Sequence, residues 1–93
     1  MYVLVRHKIA SYDRWRPFFD GPGAVLHGAG SRDGKVFRNQ QVGNELFVLL
    51  EWPDAEKART FMESKALREA MAGAGVIDKP DIWYLEELET PQV

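Results

Sequence analysis

Short runs of apolar residues predict four β-strands along the chain. The first run, 2–9, is rich in β-branched residues and too short for a helix. The run at 45–52 is apolar on both faces for most of its length, which is typical of a strand buried on both sides. The remaining strands are predicted at 31–39, where Asp33-Gly34 favours a turn or bulge, and at 82–88.

Two segments with apolar residues at helical spacing separate these strands. The first helix is predicted to start at Ser11 as its N-cap, and Pro17 makes it short or kinked. The second is predicted to start at Asp54, to break slightly at Ser64 and to end after Ala72, with Gly73 and Gly75 as candidate C-terminal caps. The apolar positions are Tyr12, Trp15, Phe18 and Phe19 in the first helix and Ala58, Phe61, Met62, Leu67, Ala70 and Met71 in the second.

The order β-α-β-β-α-β predicts an α+β fold, a ferredoxin-like sandwich forming a single domain over 1–93. Two helices cover one face of its four-stranded antiparallel sheet and leave the other face bare. That bare face is apolar, because strand three carries Leu46, Val48 and Leu50 on one side and Phe47 and Leu49 on the other. The same face of a second copy is the simplest cover, so the sequence predicts a homodimer whose paired sheets enclose a cavity.

Composition narrows the function classes. The 93 residues carry a formal net charge of -2 with no Lys/Arg cluster, so we expect no nucleic-acid partner. The absence of cysteine excludes disulfides and zinc-thiolate sites and suits a reducing cytoplasm. No stretch approaches the roughly 20 apolar residues of a membrane helix, and no signal sequence is recognisable. We therefore expect a cytoplasmic protein without a membrane partner.

Three runs of sequence resemble the dimeric α/β-barrel superfamily, in particular its antibiotic biosynthesis monooxygenase-like branch. They are VRHKIASYDRW at 5–15, LLEWPD at 49–54 and SKALREAM at 64–71. The resemblance implies the dimeric barrel fold over nearly the whole chain. It also implies a range of functions, because the superfamily includes cofactor-independent oxygenases of polycyclic aromatics, cyclases, lactone isomerases, haem-handling enzymes and ligand-sensing domains.

His7 is the candidate catalytic residue. It shares a face of the first strand with Val3 and Val5, and a buried imidazole there could act as a general base or orient a phenolic substrate. The alternative is a core or interface histidine that hydrogen-bonds a neighbour. A shift of the strand by one residue would exchange His7 for Arg6 and Lys8 in the interior.

Aromatic side chains are candidates for the walls of a pocket that binds a small hydrophobic or aromatic molecule. Tyr12, Trp83 and Tyr84 are the predicted substrate-binding aromatics, and one of the last two must face away from the helices. Trp15 and Trp52 lie near strand–helix junctions, where packing of the helices is the expected role.

Charged residues within predicted strands are the remaining candidates. Arg6, Arg38 and Glu51 could bind substrate, and an arginine could stabilise an oxyanion. The alternative is a purely structural role, a cross-strand ion pair between Arg38 and Glu51, which flank the same hairpin.

We expect neither a metal ion nor a cofactor. His7 and His27 are the only histidines and have no closely spaced carboxylates, and no strand and helix flank 28–30 as a dinucleotide loop requires. Three readings follow: a cofactor-independent monooxygenase, cyclase or isomerase for an aromatic or enolisable metabolite, a non-enzymatic ligand-binding module, and a dry structural dimer.

Overall fold

The structure is a computed structural model that describes residues 1–20 and 33–92. This part of the chain contains four strands and three helices. The second predicted helix is divided in two at Ser64, as expected. The elements are β1 (Tyr2–Lys8), α1 (Tyr12–Asp20), β2 (Asp33–Arg38), β3 (Glu45–Glu51), α2 (Ala55–Met62), α3 (Lys65–Gly73) and β4 (Asp81–Leu85).

The strands form one antiparallel sheet in the order β2-β3-β1-β4. The two central strands are therefore β3 and β1, and each βαβ half contributes one central and one edge strand. This arrangement confirms the predicted α+β, ferredoxin-like fold. The last strand is shorter than predicted: Leu85 pairs with Tyr2, the first residue of β1, so the residues beyond Leu85 have no neighbouring strand to continue the ladder.

The predicted interruption of the second strand is wrong. β2 pairs with β3 in unbroken register, with Gly34 opposite Leu50 and Val36 opposite Val48. The glycine serves packing instead of a turn, because a Cβ at Gly34 would lie 3.0 Å from Cζ of Phe19. The missing side chain therefore lets Phe19 of α1 approach this strand closely.

Burial alternates strictly along the central strands. In β1 the side chains of Val3, Val5 and His7 are buried, and in β3 the same holds for Leu46 and its alternate neighbours. This face, which we call the helix face, packs against the three helices. Its core cluster consists of Val3, Val5, Ile9, Trp15, Leu46, Val48, Leu50, Trp52, Ala58, Met62, Leu67, Met71 and Ala74.

Side-chain caps explain where α2 and α3 begin. Asp54 accepts a hydrogen bond from the backbone N–H of Glu56 at 2.9 Å, and the hydroxyl of Ser64 accepts one from Leu67 at 3.1 Å. Each bond satisfies a donor that has no partner within its helix. After α3, Gly75 adopts a left-handed conformation with φ of 87°, as is typical of a glycine that ends a helix.

The opposite side of the sheet, which we call the open face, is apolar at its centre. Leu4, Phe47 and Leu49 of the central strands are partly exposed there. Phe37 on β2 and Trp83 on β4 are 50% and 45% exposed. No helix among residues 33–92 or 1–20 covers this face, since the buried residues of all three helices belong to the core of the helix face.

Candidate functional site

His7 lies on the helix face of a central strand, with 1% of its surface exposed. Its backbone position is opposite Leu46 of β3, and its ring meets that of Trp15 from α1 edge to face at a centroid distance of 5.9 Å. The predicted catalytic histidine therefore points towards the helices. It does not point towards the open face, where paired sheets were expected to enclose the pocket.

An apolar cavity of about 20 Å³ lies beside His7, between the sheet and the helices. That volume holds about one water molecule. We call this region the sheet–helix pocket. It is lined by Val5, His7, Trp15, Phe18, Phe19, Val48, Leu50, Met62, Leu67 and Met71.

Among the residues that the structure describes, three ring nitrogens in this pocket have no hydrogen-bond partner. Both nitrogens of His7 and Nε1 of Trp15 are buried, and none of them meets a donor or acceptor among the residues that the structure describes. Burying such groups unpaired costs about 1–3 kcal/mol each, so polar atoms in an apolar wall are well suited to a ligand that pairs with them. Nε1 of Trp52 likewise has no partner within residues 1–20 and 33–92, but Trp52 packs on Phe61 outside this pocket.

Burial lowers the pKa of His7 from 6.5 to about 4. The loss of solvation is the main cause, Arg6 lowers the pKa further, and the carboxylate of Asp78 opposes both. At neutral pH the ring is therefore an uncharged imidazole with one N–H donor and one acceptor nitrogen.

Arg6 lies on the open face, one residue before His7, and three carboxylates surround it. Its guanidinium is 2.9 Å from Glu45, 2.7 Å from Asp78 and 3.3 Å from Asp81. These partners raise the pKa of Arg6, and the hydrogen bond to Glu45 is the largest cause. Hydrogen bonds from Asn39 and then Arg6 lower the pKa of Glu45. We call this group the Arg6 cluster; it joins the ends of three strands and the segment that precedes β4.

The expected pair between Arg38 and Glu51 does not form. Arg38 lies opposite Leu46, beside the hairpin loop, whereas Glu51 lies opposite Asp33 at the far end of the two strands. Arg38 directly precedes the loop, whereas Glu51 follows it only after a whole strand, so the two residues cannot lie opposite each other. The guanidinium of Arg38 instead lies 5.5 Å from the ring centroid of Tyr12, at the edge of the helix face.

The predicted substrate-binding aromatics are divided between the two faces. Tyr84 belongs to the helix face, where Arg59 stacks over its ring at 4.2 Å, and burial is the main cause that raises its pKa. Tyr12 contacts Trp15 at 5.9 Å on the rim of the same layer. Trp83 lies on the open face. The structure therefore brings Tyr12, but not Trp83, close to the residues around His7.

A wide groove crosses the open face near the chain ends. Its volume is about 460 Å³, and it runs from β2 to the residues after β4. Because it is open and shallow, it resembles a contact surface more than an enclosed ligand site. It is lined by Tyr2, Gly34, Lys35, Leu49, Glu51, Leu85, Glu86 and Glu87.

The described residues contain neither a metal-ligand cluster nor a membrane-spanning helix. Within residues 1–20 and 33–92, no group of three or more His, Asp or Glu side chains is arranged to hold a metal ion. None of the helices in that part of the chain is long and apolar enough to cross a membrane. His27 and the glycine-rich stretch at 28–30 lie outside the described residues.

Sequence reasoning missed the residues that accompany His7. The sequence pattern predicts a packing role for Trp15 and places Phe18 and Phe19 only on the apolar side of the first helix. A usable signal exists in the pattern: His7 shares its strand face with Val3 and Val5, which the helices cover, so the apolar residues of α1 had to be its neighbours.

The fold and this pocket define a ferredoxin-like α+β protein with an apolar site between sheet and helices. More specifically, the chain has the fold of antibiotic biosynthesis monooxygenase structures, which confirms at the level of fold the resemblance noted in the sequence. No family model matches the chain, and no curated protein matches it.

Three solved structures illustrate the likeness. A candidate antibiotic biosynthesis monooxygenase from Bordetella bronchiseptica superposes with a TM-score of 0.73 at 10% identity, covering 95% of this chain and 96% of that one. SnoaB, a cofactor-independent oxygenase from Streptomyces nogalater, gives 0.61 at 10% identity with 94% and 93% covered. A candidate antibiotic biosynthesis monooxygenase from Deinococcus radiodurans gives 0.57 at 14% identity, with 99% of each chain covered.

Proposed function

We propose that the protein is a cytoplasmic homodimer that binds a small aromatic or enolisable metabolite in the sheet–helix pocket and oxygenates it without a cofactor. One observation carries the proposal: a buried, neutral His7 beside Trp15, with three ring nitrogens unpartnered among the described residues in an otherwise apolar pocket. The likeness to a cofactor-independent oxygenase agrees with it.

His7 would accept the proton that the substrate must lose. An imidazole with a pKa of about 4 is a weak base towards water, but the enolate or phenolate formed beside it would carry the opposite charge. In a pocket of low polarity that pairing favours the protonated ring and raises its pKa. The Trp15 N–H could donate a hydrogen bond to the developing oxyanion.

The oxidation balances without a redox cofactor if the substrate supplies the electrons. A ring methylene that is activated by a conjugated carbonyl loses one proton to His7, and its carbanion reacts with O2 to form a peroxide. The protonated His7 returns that proton to the peroxide, and the hydroperoxide then loses the second C–H proton and hydroxide as water, which leaves a second carbonyl. The net change converts CH2 and O2 into C=O and H2O. This is the reaction class of a cofactor-independent monooxygenase.

The open face would be the dimer interface. Leu4, Phe47, Leu49 and the half-exposed Phe37 and Trp83 form an apolar surface at its centre. A second copy seated on this surface, related by a two-fold axis, would bury it against itself. In this arrangement the interface and the sheet–helix pocket occupy opposite sides of each sheet.

A non-enzymatic binding module is the alternative, and the low pKa of His7 favours it. A ring that stays neutral can donate one hydrogen bond and accept another without any proton transfer. In that case the same pocket would recognise a hydroxyl or carbonyl group and release the ligand unchanged.

Anthrone, which has an activated methylene, is the probe that separates these functions. Quinone formation and O2 consumption would be measured for the wild-type protein, for His7→Gln and for buffer alone. Turnover above buffer that is lost in His7→Gln while anthrone binding is retained supports the oxygenase. Binding with no turnover in either protein supports the binding module. Absence of binding would contradict both.

A further inference from the structure

Phe19 lines the sheet–helix pocket, and we propose that its ring stands where an aromatic ring of the ligand binds. On this view Phe19 is the specificity-determining residue: when its side chain swings out, a slot for one ring opens between Trp15 and Gly34. The inference rests on the proposed function, since it concerns the same pocket.

The first observation is the stacking of Phe19 on Trp15. Their ring centroids are 5.6 Å apart and their planes differ by 17°. A planar aromatic ligand adopts the same offset arrangement on an indole. The neighbouring Phe18 is inclined by 57° to Trp15, so it does not occupy a stacked position.

The second observation is the space that Gly34 leaves beneath the ring of Phe19. Gly34 lies under Phe19, and a Cβ there would be 3.0 Å from Cζ of Phe19 and 3.1 Å from Cδ2 of Leu50. Contacts this short force a neighbour to move. The absence of a side chain at Gly34 thus leaves room for the Phe19 ring between β2 and Trp15.

The third observation is that the turn of α1 carrying Phe19 is held by fewer interactions than Trp15. Pro17 has no N–H, so it cannot donate the helical hydrogen bond to the carbonyl of Asp13 that would secure the turn carrying Phe19. Phe19 is also only partly buried, in contrast to Trp15 with no exposed surface. Displacing Phe19 therefore breaks fewer interactions than displacing Trp15.

The volumes select the ligand class. The cavity of about 20 Å³ admits one water, whereas an engineered apolar cavity of about 150 Å³ binds benzene. Removal of the Phe19 ring frees the volume of one benzene ring beside His7. The slot therefore holds one aromatic ring of a ligand, such as an outer ring of anthrone, and a hydroxyl or carbonyl on that ligand can pair with the neutral imidazole.

The test measures binding of phenol and benzene by calorimetry to the wild-type protein and to Phe19→Ala. We expect Phe19→Ala to bind phenol at least tenfold more tightly than wild type and to prefer phenol over benzene, with loss of that preference on adding His7→Leu. Adding Gly34→Ala to Phe19→Ala should fill the slot and lower the affinity again. Phe61→Ala is the matched control, because Phe61 also packs on a tryptophan, Trp52, outside this pocket.

Circular dichroism confirms folding of each variant, and Phe19→Leu replaces Phe19→Ala if the latter does not fold. Equal phenol affinity of the wild-type and Phe19 variants would overturn the assignment. If anthrone still binds the wild-type protein in a His7-dependent manner, the proposed function survives that result. If Phe19→Ala gains phenol binding while wild type neither binds nor converts anthrone, the slot stands and the proposed function fails.

Discussion

His7 and Trp15 meet edge to face, with ring centroids 5.9 Å apart and planes inclined at 65°, and none of their ring nitrogens has a partner among the described residues. One of these residues comes from a central strand and the other from the helix that covers it. A ligand that satisfies both would therefore join the sheet to α1. Binding at this site is expected to stabilise the fold as well as fill the pocket.

Acid should destabilise the protein through His7. Its pKa is about 4 in the folded protein and near 6.5 in the unfolded chain, so between these values the unfolded state binds more protons. Stability from this residue is present above pH 6.5 and is lost as the pH falls towards 4, by roughly 3 kcal/mol.

Urea unfolding of wild type and His7→Gln at pH 7 and pH 4 measures this effect, since the glutamine does not titrate. The difference between the two proteins in pH dependence isolates His7 from the carboxylates. NMR of the imidazole ring should show a neutral His7 at pH 5.5. A ring that is charged there would contradict the prediction.

Arg6→Gln should lower the melting temperature, because it leaves Glu45, Asp78 and Asp81 close together without their shared cation. The loss should be larger in low salt than in high salt, since salt screens the repulsion.

Lys65→Gln is the control for Arg6→Gln. Lys65 also forms an ion pair, with Glu69 at 3.7 Å, but both side chains are mostly exposed. Such surface pairs contribute little to stability, so the melting temperature should change only slightly. Equal effects of the two substitutions would mean that the Arg6 cluster does not tie the strands together.

Gly75→Ala should destabilise the protein by about 1–2 kcal/mol, because a side chain is disfavoured at its φ of 87°. Gly73→Ala provides the matched comparison, because a Cβ there meets nothing within 4 Å. Gly73 is the last residue of α3, and alanine is a better helix former than glycine. Chemical denaturation should therefore show a lower free energy of unfolding for Gly75→Ala and a higher one for Gly73→Ala. A neutral Gly75→Ala would show that the turn after α3 adapts.

Trp83→Glu should convert the proposed dimer into a folded monomer. The substitution places a charge in the apolar centre of the open face without touching the helix face. Sedimentation across a concentration range measures the mass, and Lys57→Glu on the exposed side of α2 should leave the dimer intact. A wild-type protein that is monomeric at high concentration would remove the interface from the proposal.

The alternation of burial was predictable, because the pleat places every second side chain on the same face. The sequence pattern correctly grouped His7 with Val3 and Val5. It could not tell which layer covers that group, since both faces of β3 are apolar. The pocket was consequently expected between two sheets, whereas His7 faces the helices.

Local propensity misled at Asp33-Gly34, a dipeptide that favours turns. Its glycine is required by the approach of Phe19 from α1, a contact between segments that are distant in sequence. In contrast, the caps Asp54 and Ser64 depend on residues two or three positions away and were predicted correctly.

Arg6 and His7 are adjacent in the chain, yet one side chain joins the carboxylates of the open face and the other enters the sheet–helix pocket. Mutations at alternate positions of β1 therefore fall into two separate classes. Under the proposed function, substitutions at the odd positions of β1 would change the ligand, whereas substitutions at the even positions would change the dimer interface. Ligand recognition and self-association would then evolve at different rates on a single strand.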